Sequence, residues 1–441
     1  MRLPEYVRSC LDCLEKAGFA AYAVGGCVRD SLLGLTPQDY DLCTAAKPET
    51  IREIFSDHSL VLAGLKHGTV GVVTEQGVVE ITTFRTEGDY RDHRHPAWVA
   101  FVEDIHQDLA RRDFTVNAMA YSPTRGFADP FGGQADLKNR ILRSVGDPGT
   151  RFREDALRIL RGVRFAVKYR LQPEEATLSA MEALSPLMDT LAAERIFEEL
   201  CKLLPLVTPE DLLRFTPILC RVIPELVPTV GFAQHTPHHV HDVYTHTAQV
   251  TGNVPQELTL RWAALLHDIG KPRTFQLDEA GQGHFYGHAQ LSADMANEIL
   301  LRLKAPTQLR QDVCLLIRQH MTPLTPDKKL LRRRMSQYGP ELLRQQLALQ
   351  EADFGGKGVR DSDPDFPGIR LLMEELSRED ACLKVTDLAV NGRDLMALGF
   401  SGPAIGQCLN ALLQQVLDEQ LPNEKEALRS AASAMQAHSR G

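Results

Sequence analysis

Two aspartates separated by a single residue are the first feature of this chain that suggests chemistry. Asp39 and Asp41 follow the glycine pair Gly25-Gly26 and Arg29. On a β-strand, residues i and i+2 point to the same face, so the two carboxylates could hold one divalent cation. The glycines allow backbone amides to approach a phosphate closely. Oxygen ligands beside a phosphate cradle favour metal-assisted phosphoryl or nucleotidyl transfer over the alternative, a turn followed by a solvated acidic pair.

Two further segments extend this set. Glu80 lies in a β-rich run and could add a third carboxylate beside the aspartates. Two metals held by the three acids would activate an attacking hydroxyl and neutralise a pyrophosphate leaving group. Arg112 ends a double arginine whose guanidinium groups match phosphate oxygens, and Asp113 or Asn117 could meet ribose hydroxyls. Asp113 could equally cap a helix start, and the two roles are compatible.

The segment 153–165 suggests base recognition. On a helix, Asp155 and Arg158 would be neighbours at i and i+3. A carboxylate beside a guanidinium complements the Watson–Crick edges of cytosine and adenine and repels uracil and guanine, although the pair also fits a plain intrahelical salt bridge. At about 100° per residue, Arg161 lies next to Arg158, whereas Arg164 points to roughly the opposite face from Asp155.

The elements that must position these residues indicate an α+β fold. Residues 1–140 alternate helices with strands, among them one carrying both Asp39 and Asp41 and a hairpin of strands at 69–74 and 77–84. From about residue 150 the pattern is helical, and histidines concentrate between 235 and 288. We predict a catalytic head at 1–140, a helical neck that recognises the base at 141–230, a histidine-rich helical module at 231–358, and a helical tail at 370–441.

Composition narrows the class of protein. The chain has 441 residues, 43% of them hydrophobic, with no apolar run of membrane-spanning length. Its N-terminus lacks an apolar signal core and its nine cysteines are scattered, so we expect a cytoplasmic protein without a disulfide framework. The net charge of −9 does not exclude nucleic-acid binding, because local basic clusters remain.

Motifs in a fixed order carry a resemblance to a known family. They are Gly25-Gly26-x-Val28-Arg29-Asp30, Asp39-x-Asp41, Arg111-Arg112-Asp113-x-x-x-Asn117-Ala118, Asp129-Pro-Phe-Gly-Gly133, Glu154-Asp155-x-x-Arg158, and a segment beginning Glu194-Arg195-Ile196. Over about residues 15–205 the chain resembles the class II tRNA nucleotidyltransferases, which include CCA-adding enzymes and bacterial poly(A) polymerases. The resemblance implies a polymerase-beta-like head with a small mixed sheet, followed by a helical neck.

The same resemblance implies roles for individual residues. Asp39 and Asp41 would bind Mg²⁺, and Gly26, Arg29 and Arg112 would meet the incoming triphosphate. The residues that would form the nucleotide template are Asp155, Arg158, Arg161 and Arg164. The expected partners are therefore ATP, CTP and the acceptor arm and 3′ end of tRNA, and no membrane.

The segment 85–96 bears on the reaction product. Its glycine, charges and proline suggest an ordered but mobile loop. Family members that add only CC lack an intact loop here, so the sequence favours addition of CCA or of its terminal A. A poly(A) polymerase is the alternative, although such enzymes are usually strongly basic.

The histidine-rich module suggests a second site. His267-Asp268 lies in an apolar stretch where charge is costly without a partner, and imidazole with carboxylate suits a transition metal or Mg²⁺. The segment is similar to the HD phosphohydrolase superfamily. The resemblance matches His246, His267 and Asp268, and Asp353 is the candidate for the last ligand of a second divalent metal. Two readings stay open: a metal-dependent phosphohydrolase acting on RNA or nucleotide phosphates, and a helical scaffold without metal.

Overall fold

The structure is a computed structural model that describes residues 1–88, 98–236, 240–357, 364–378 and 382–439. It comprises two compact units. The first contains Met1–Val207 and Arg214–Pro224, and the second contains Thr208–Leu213 and Glu225–Gly441. The predicted boundary near residue 140 falls within the first unit. Residues 89–96 of the predicted loop at 85–96 lie outside the described residues.

A seven-stranded mixed sheet forms the centre of the first unit, which confirms the predicted α+β class. Its strand order is β3-β4-β5-β2-β1-β8-β9, and β2 and β5 run parallel while the other neighbours are antiparallel. Small strand pairs join β6 to β7 and β10 to β11. The strands are β1 Ala21–Val24, β2 Asp41–Thr44, β3 Leu60–Val61, β4 Thr69–Thr74, β5 Gly77–Thr83, β6 Arg85–Glu87, β7 Val99–Phe101, β8 Ala120–Ser122, β9 Gly126–Ala128, β10 Ile141–Leu142 and β11 Gln172–Pro173.

Helices flank this sheet and then dominate the chain. Buried side chains of β1, β2 and β8 pack with Phe84 and Leu109 in one apolar cluster, which fixes the strand ends that carry polar residues. The helices up to residue 222 are α1 Glu5–Lys16, α2 Gly26–Leu32, α3 Pro48–Ile54, α4 Ile105–Ala110, α5 Gly133–Lys138, α6 Pro148–Glu154, α7 Leu157–Tyr169, α8 Glu175–Ala183, α9 Ala193–Leu203, α10 Pro209–Arg214 and α11 Thr216–Val222.

The second unit is built mainly of helices, with one strand pair of β12 Gln276–Leu277 and β13 Gly283–His284. Separate apolar clusters form around Leu331 and Leu347 and around Leu395 and Leu412. Its helices are α12 Val243–Asn253, α13 Leu258–Leu266, α14 Lys271–Thr274, α15 His288–Arg302, α16 Thr307–Gln319, α17 Lys328–Tyr338, α18 Pro340–Gly355, α19 Phe366–Arg378, α20 Gly392–Ala397, α21 Pro403–Leu417 and α22 Lys425–Ser439.

Two helix starts matter for the sites described below. Asp242 caps α12, since its carboxylate accepts hydrogen bonds from the backbone N–H groups of Tyr244 and Thr245. The turn from β1 into α2 passes through Gly25. Among the described helices, none is long and apolar enough to cross a membrane.

Candidate active site

Acidic side chains gather where β2 begins. Asp41 is the first residue of β2 and lies directly opposite Glu80 in the parallel pairing with β5. Asp39 precedes the strand, so the prediction that one strand carries both aspartates was wrong. Desolvation raises the pKa of Asp41 to about 6, the negative charges of Asp39 and Glu80 add to the rise, and Arg112 opposes it.

The glycine turn brings backbone and guanidinium together. Gly25 has φ 74° and ψ −122°, a conformation that L side chains rarely adopt, and it donates its N–H to the carbonyl oxygen of Met119 at 3.0 Å. A Cβ on Gly25 would lie 2.8 Å from Nη1 of Arg112. The Nε of Arg112 is buried and makes no hydrogen bond within the described structure, and its Nη2 lies 3.5 Å from Asp108.

A buried network connects Arg29 to the residues after the double arginine. Arg29 donates to Asp30, to the Asn117 side-chain oxygen and to the Tyr169 hydroxyl. Asn117 donates in turn to Asp113 Oδ1 at 3.0 Å. Arg29 is 6% exposed and engages all three guanidinium nitrogens, so it would have to exchange a partner in order to meet a triphosphate.

Asp113 connects this network to α7. Its Oδ2 accepts from Nε and Nη2 of Arg161 at 2.9 and 2.7 Å. Burial alone would raise the pKa of Asp113, but the positive charge of Arg161 and the hydrogen bonds from Asn117 and Arg161 outweigh it and hold that pKa below its usual range. Asp113 is therefore an ionised anchor for Arg161 in this structure.

The two residues predicted to read the base have separate partners. Asp155 is not helical: it is extended, with φ −139° and ψ 103°, between α6 and α7. The helical i,i+3 placement and the intrahelical salt bridge were therefore wrong for Asp155 and Arg158. Arg158 donates to Glu154 at 2.6 Å, whereas Asp155 accepts from Arg195 at 2.9 Å.

Arg164 lies on the α9 side of α7. Its Nε donates to Glu199 Oε2 at 2.6 Å, and its guanidinium carbon lies 4.4 Å from the centre of the Phe165 ring. Arg164 and Asp155 thus contact different residues of α9. Sequence reasoning did not identify Arg195 and Glu199 as their partners.

Four residues of the second unit form a buried cluster. His246 lies on α12, His267 and Asp268 follow α13, and Asp353 lies on α18. The Nε2 atom of His246 is 2.9 Å from Asp353 Oδ1, and that of His267 is 3.2 Å from Asp268 Oδ2. One potential ligand atom from each residue lies within 4.8 Å of the others. The structure therefore brings together all four residues of the predicted metal site. Among the described residues, the carboxylates of Asp39, Asp41 and Glu80 do not form a group of ligand atoms this close together.

Two more histidines border the same carboxylate. His288 and His320 form a second close group with Asp268, and their Nε2 atoms are 3.3 Å apart. Their Nδ1 atoms lie 2.7 and 2.6 Å from the backbone carbonyls of Phe285 and Ile317, and Nδ1 of His267 lies 2.8 Å from that of Ala264. Such carbonyl contacts assign the proton to Nδ1 and leave Nε2 as a ligand atom.

The cluster has polar atoms that the protein itself does not satisfy. Among the described residues, Nε2 of His267 and both oxygens of Asp268 are buried without a well-formed hydrogen bond, although Nζ of Lys271 lies 2.7 Å from Asp268 Oδ2. Burial would lower the pKa of His267, but the charge of Asp268 outweighs it and raises that pKa to about 10. Imidazole nitrogens and carboxylate oxygens that lack a hydrogen-bond partner are suitable ligands for a divalent transition metal.

Lys271 was not predicted as part of this site. It is 5% exposed and also donates to Gln234 at 2.8 Å. A lysine three residues after Asp268 was visible in the sequence, but a single lysine gives no signal of burial by itself.

Comparison with known proteins matches three family models to successive parts of the chain. The family model "Poly A polymerase head domain" matches residues 21–143, "Probable RNA and SrmB- binding site of polymerase A" matches 170–228, and "HD domain" matches 238–389. A CCA-adding enzyme of Streptococcus thermophilus is 33% identical over 438 residues, covering 98% of each chain. One of Levilactobacillus brevis is 35% identical over 433 residues, covering 97% of each. The chain belongs to the CCA-adding enzyme family.

Solved structures of CCA-adding enzymes share the fold. The Bacillus stearothermophilus enzyme in complex with CTP has a TM-score of 0.72 and 27% identity, and the match covers 100% of this chain and 99% of that one. The Thermotoga maritima CCA-adding enzyme complexed with tRNA has a TM-score of 0.60 over 98% of this chain and 97% of that one. At 19% identity, the second likeness concerns the fold alone.

Proposed function

We propose that this chain adds C and A nucleotides to the 3′ end of tRNA from CTP and ATP, without a nucleic-acid template and with release of pyrophosphate. The observation that carries the proposal is the acidic edge of the head, where Asp41 faces Glu80 across parallel strands and Asp39 lies two residues before. Membership in the CCA-adding enzyme family supports the choice of substrate. We also propose that the reaction takes place in the cytoplasm, where tRNA and nucleoside triphosphates meet.

The carboxylates would hold Mg²⁺, which prefers oxygen ligands. Burial, and then the negative charges of Asp39 and Glu80, raise the pKa of Asp41, and a bound cation would favour its ionised form. When bound, Mg²⁺ makes a hydroxyl more acidic and neutralises charge on a leaving pyrophosphate. The carboxylates of the head would orient the reacting 3′-hydroxyl of the tRNA. Its oxygen would form the new bond to the α-phosphorus as the bond to pyrophosphate breaks, and its proton would pass to solvent water.

Arg112 and the glycine turn would bind the triphosphate. The unpartnered, buried Nε of Arg112 is a donor that the protein leaves unused in the described structure. Gly25 leaves room for this guanidinium, because any side chain there would meet it at 2.8 Å. Arginine is suited to this role because its planar fork donates two parallel hydrogen bonds to phosphate oxygens.

Base selection would rest on Asp155, Arg158 and their supporting residues. Asp155 would accept the amino group that cytosine and adenine share, and Arg158 would donate to the ring nitrogen. Arg161, fixed by Asp113, would keep α7 in register with the head. Uracil and guanine present the reverse order, so their carbonyl oxygen would face the carboxylate of Asp155 and their ring N–H would face the guanidinium of Arg158.

The product sequence tests this proposal. A tRNA transcript that ends at its unpaired discriminator base is incubated with CTP, with ATP and with both, and the 3′ ends are sequenced. We expect CC with CTP alone and CCA with both nucleotides. Long A tracts without C would indicate a poly(A) polymerase. Addition of A only to a transcript that already ends in CC would indicate an A-adding enzyme.

Carboxylate variants test the catalytic assignment. Asp39→Ala and Asp41→Ala should abolish addition while the chain stays folded. Asp57→Ala is the matched control, because Asp57 is an exposed head carboxylate that pairs only with neighbouring His58 in the described structure. Addition that survives in either catalytic variant would contradict the assignment.

We propose a second, metal-dependent hydrolysis of phosphate esters at the histidine cluster. The observation that favours it is the set of unsatisfied atoms on His267 and Asp268, which face three more imidazoles. His246, His267, Asp268 and Asp353 would hold the metal. Such a site supplies a nucleophilic hydroxide near neutral pH.

Metal content and hydrolysis are measured separately from nucleotide addition. After incubation with Mn²⁺, Co²⁺, Ni²⁺ or Zn²⁺ and gel filtration, elemental analysis should find bound metal in the wild type and in Asp41→Ala, and much less in His246→Ala. Hydrolysis of bis(p-nitrophenyl) phosphate should follow the metal content. A wild-type chain that retains none of these metals would make the cluster a scaffold.

A further inference from the structure

Helix α9 holds both ends of the base-recognition segment. Arg195 and Glu199 are one helical turn apart on α9. Arg195 Nη2 donates to Asp155 Oδ2 at 2.9 Å, and Glu199 accepts from Arg164 at 2.6 Å. Residues four apart on a helix share one face. One face of α9 therefore contacts the first and the last residue of the predicted template.

Asp155 depends on side-chain contacts for its orientation. It lies in the break between α6 and α7, where its backbone N–H donates to Arg151 at 3.5 Å and its carbonyl oxygen accepts from Arg158 at 3.0 Å, but these bonds leave the side chain free to turn. Its Oδ1 accepts the backbone N–H of Leu157 at 3.1 Å, and its Oδ2 accepts from Arg195. The carboxylate is thus anchored once by the start of α7 and once by α9.

The chemistry of base selection needs such an anchor. A carboxylate discriminates cytosine from uracil only while it is ionised and aimed at the exocyclic group. A guanidinium is planar and donates hydrogen bonds in fixed directions, so the contact from Arg195 fixes the orientation of the carboxylate. Without Arg195, the side chain of Asp155 could rotate, and a rotated carboxylate would no longer exclude the carbonyl oxygen of uracil.

The guanidinium of Arg195 has a hydrogen-bond donor that no described residue accepts from. Its Nη1 is buried and makes no hydrogen bond within the described part of the chain. An arginine that served only to join two helices would more commonly have its buried donors satisfied by protein. The unused donor belongs to the same guanidinium as the nitrogen that contacts Asp155.

We propose that Arg195 is a positioning residue that orients Asp155 and thereby sets the preference for CTP and ATP over UTP and GTP. This inference rests on the proposed nucleotidyl transfer. Arg195 acts through Asp155 and not on the reacting atoms. Its loss should therefore weaken selection and raise KM for the correct nucleotide while leaving kcat at saturating CTP nearly unchanged.

Variants at Arg195 test the role in two measurements, of which nucleotide binding does not depend on the overall reaction. We compare Arg195→Met, Arg195→Lys and the wild type by equilibrium binding of CTP and UTP, and by incorporation of each into tRNA. Arg221→Met is the matched control, since Arg221 also pairs with an aspartate, Asp189, in the same unit but at an exposed position. Thermal unfolding shows whether each variant is folded.

The expected result is a fall of about tenfold in the CTP-over-UTP binding ratio for Arg195→Met, comparable to the loss of one good base contact. Arg195→Lys should fall between Met and wild type, and Arg221→Met should bind as the wild type does. An unchanged ratio in a folded Arg195→Met would overturn the inference. If Arg195→Met does not fold, an unchanged ratio in Arg195→Lys overturns it.

The proposed function and this inference fail in different ways. A wild-type chain that prefers CTP in binding but adds nothing to tRNA would refute the proposed function, while the Arg195 comparison would still be decided by binding. A wild type that adds CCA beside an equally selective Arg195→Met would refute the inference alone.

Discussion

Replacing Gly25 with alanine separates the two reasons for glycine at the turn before α2. Gly25 has φ 74° and ψ −122°, and an added Cβ would lie 2.8 Å from Nη1 of Arg112. The backbone strain should destabilise the fold by about 1–3 kcal/mol. The steric contact falls on the flexible end of a side chain, so its main effect should be to displace the guanidinium and not to unfold the head.

The expected loss in binding follows from the displaced contact. A charge-assisted hydrogen bond to a phosphate is worth about 1.5–3 kcal/mol, which corresponds to roughly a 10- to 100-fold rise in KM for CTP and ATP. Steady-state addition to tRNA measures KM, and chemical denaturation measures stability. Both nucleotides should be affected alike, because the triphosphate is common to them.

Gly34→Ala is the matched control for strain. Gly34 has φ 73°, and nothing lies within 4 Å of the position that its Cβ would take. It should lose stability and keep KM. The reasoning would be refuted if Gly25→Ala and Gly34→Ala had the same KM, or if the effect of Gly25→Ala persisted in an Arg112→Ala background.

Other predictions concern stability. Gly133→Ala should prevent stable folding of the head, because its Cβ would lie 2.2 Å from the backbone oxygen of Thr115; a normal melting transition would contradict this. Asp242→Ala should cost about 1 kcal/mol of unfolding free energy by removing the cap of α12, as measured in urea, and an unchanged midpoint would contradict it. The pKa of Asp113 is lowered by folding, so its stabilisation is present above about pH 4 and is lost as the pH falls further; Asp113→Asn should flatten the acid limb of a stability profile, and an unaltered limb would disprove the coupling.

Local sequence patterns predicted the elements of the head well. The hairpin at 75–77 and the turn after β1 appear in the structure because alternating apolar residues and glycines act over a few residues. The position of Glu80 in a β-rich run led to the expectation that it joins the aspartates, and the structure places it opposite Asp41. That placement needs the parallel pairing of β2 with β5, which no local pattern specifies.

Other features depend on partners distant in sequence. The helical pattern runs through 148–169 without a visible stop, so the break at Asp155 could not be seen. Its physical cause is the carboxylate, which binds the N–H of Leu157 and the guanidinium of Arg195 in place of continuing the helix. Arg195 lies 40 residues further along the chain, and its pairing follows only from the packing of α9 against α7.

The ion pairs also change how the charge of the chain should be interpreted. The basic segment of α7 is not an open positive surface, because Arg158, Arg161 and Arg164 are each engaged by a carboxylate. On α17, Arg332 and Arg333 are likewise paired with acidic residues. Arginines held in this way contribute position and hydrogen-bond direction more than net attraction. Salt weakens tRNA binding to the extent that basic side chains neutralise phosphates and release counterions. Since these arginines already pair with carboxylates, we expect them to add little to the salt dependence of binding.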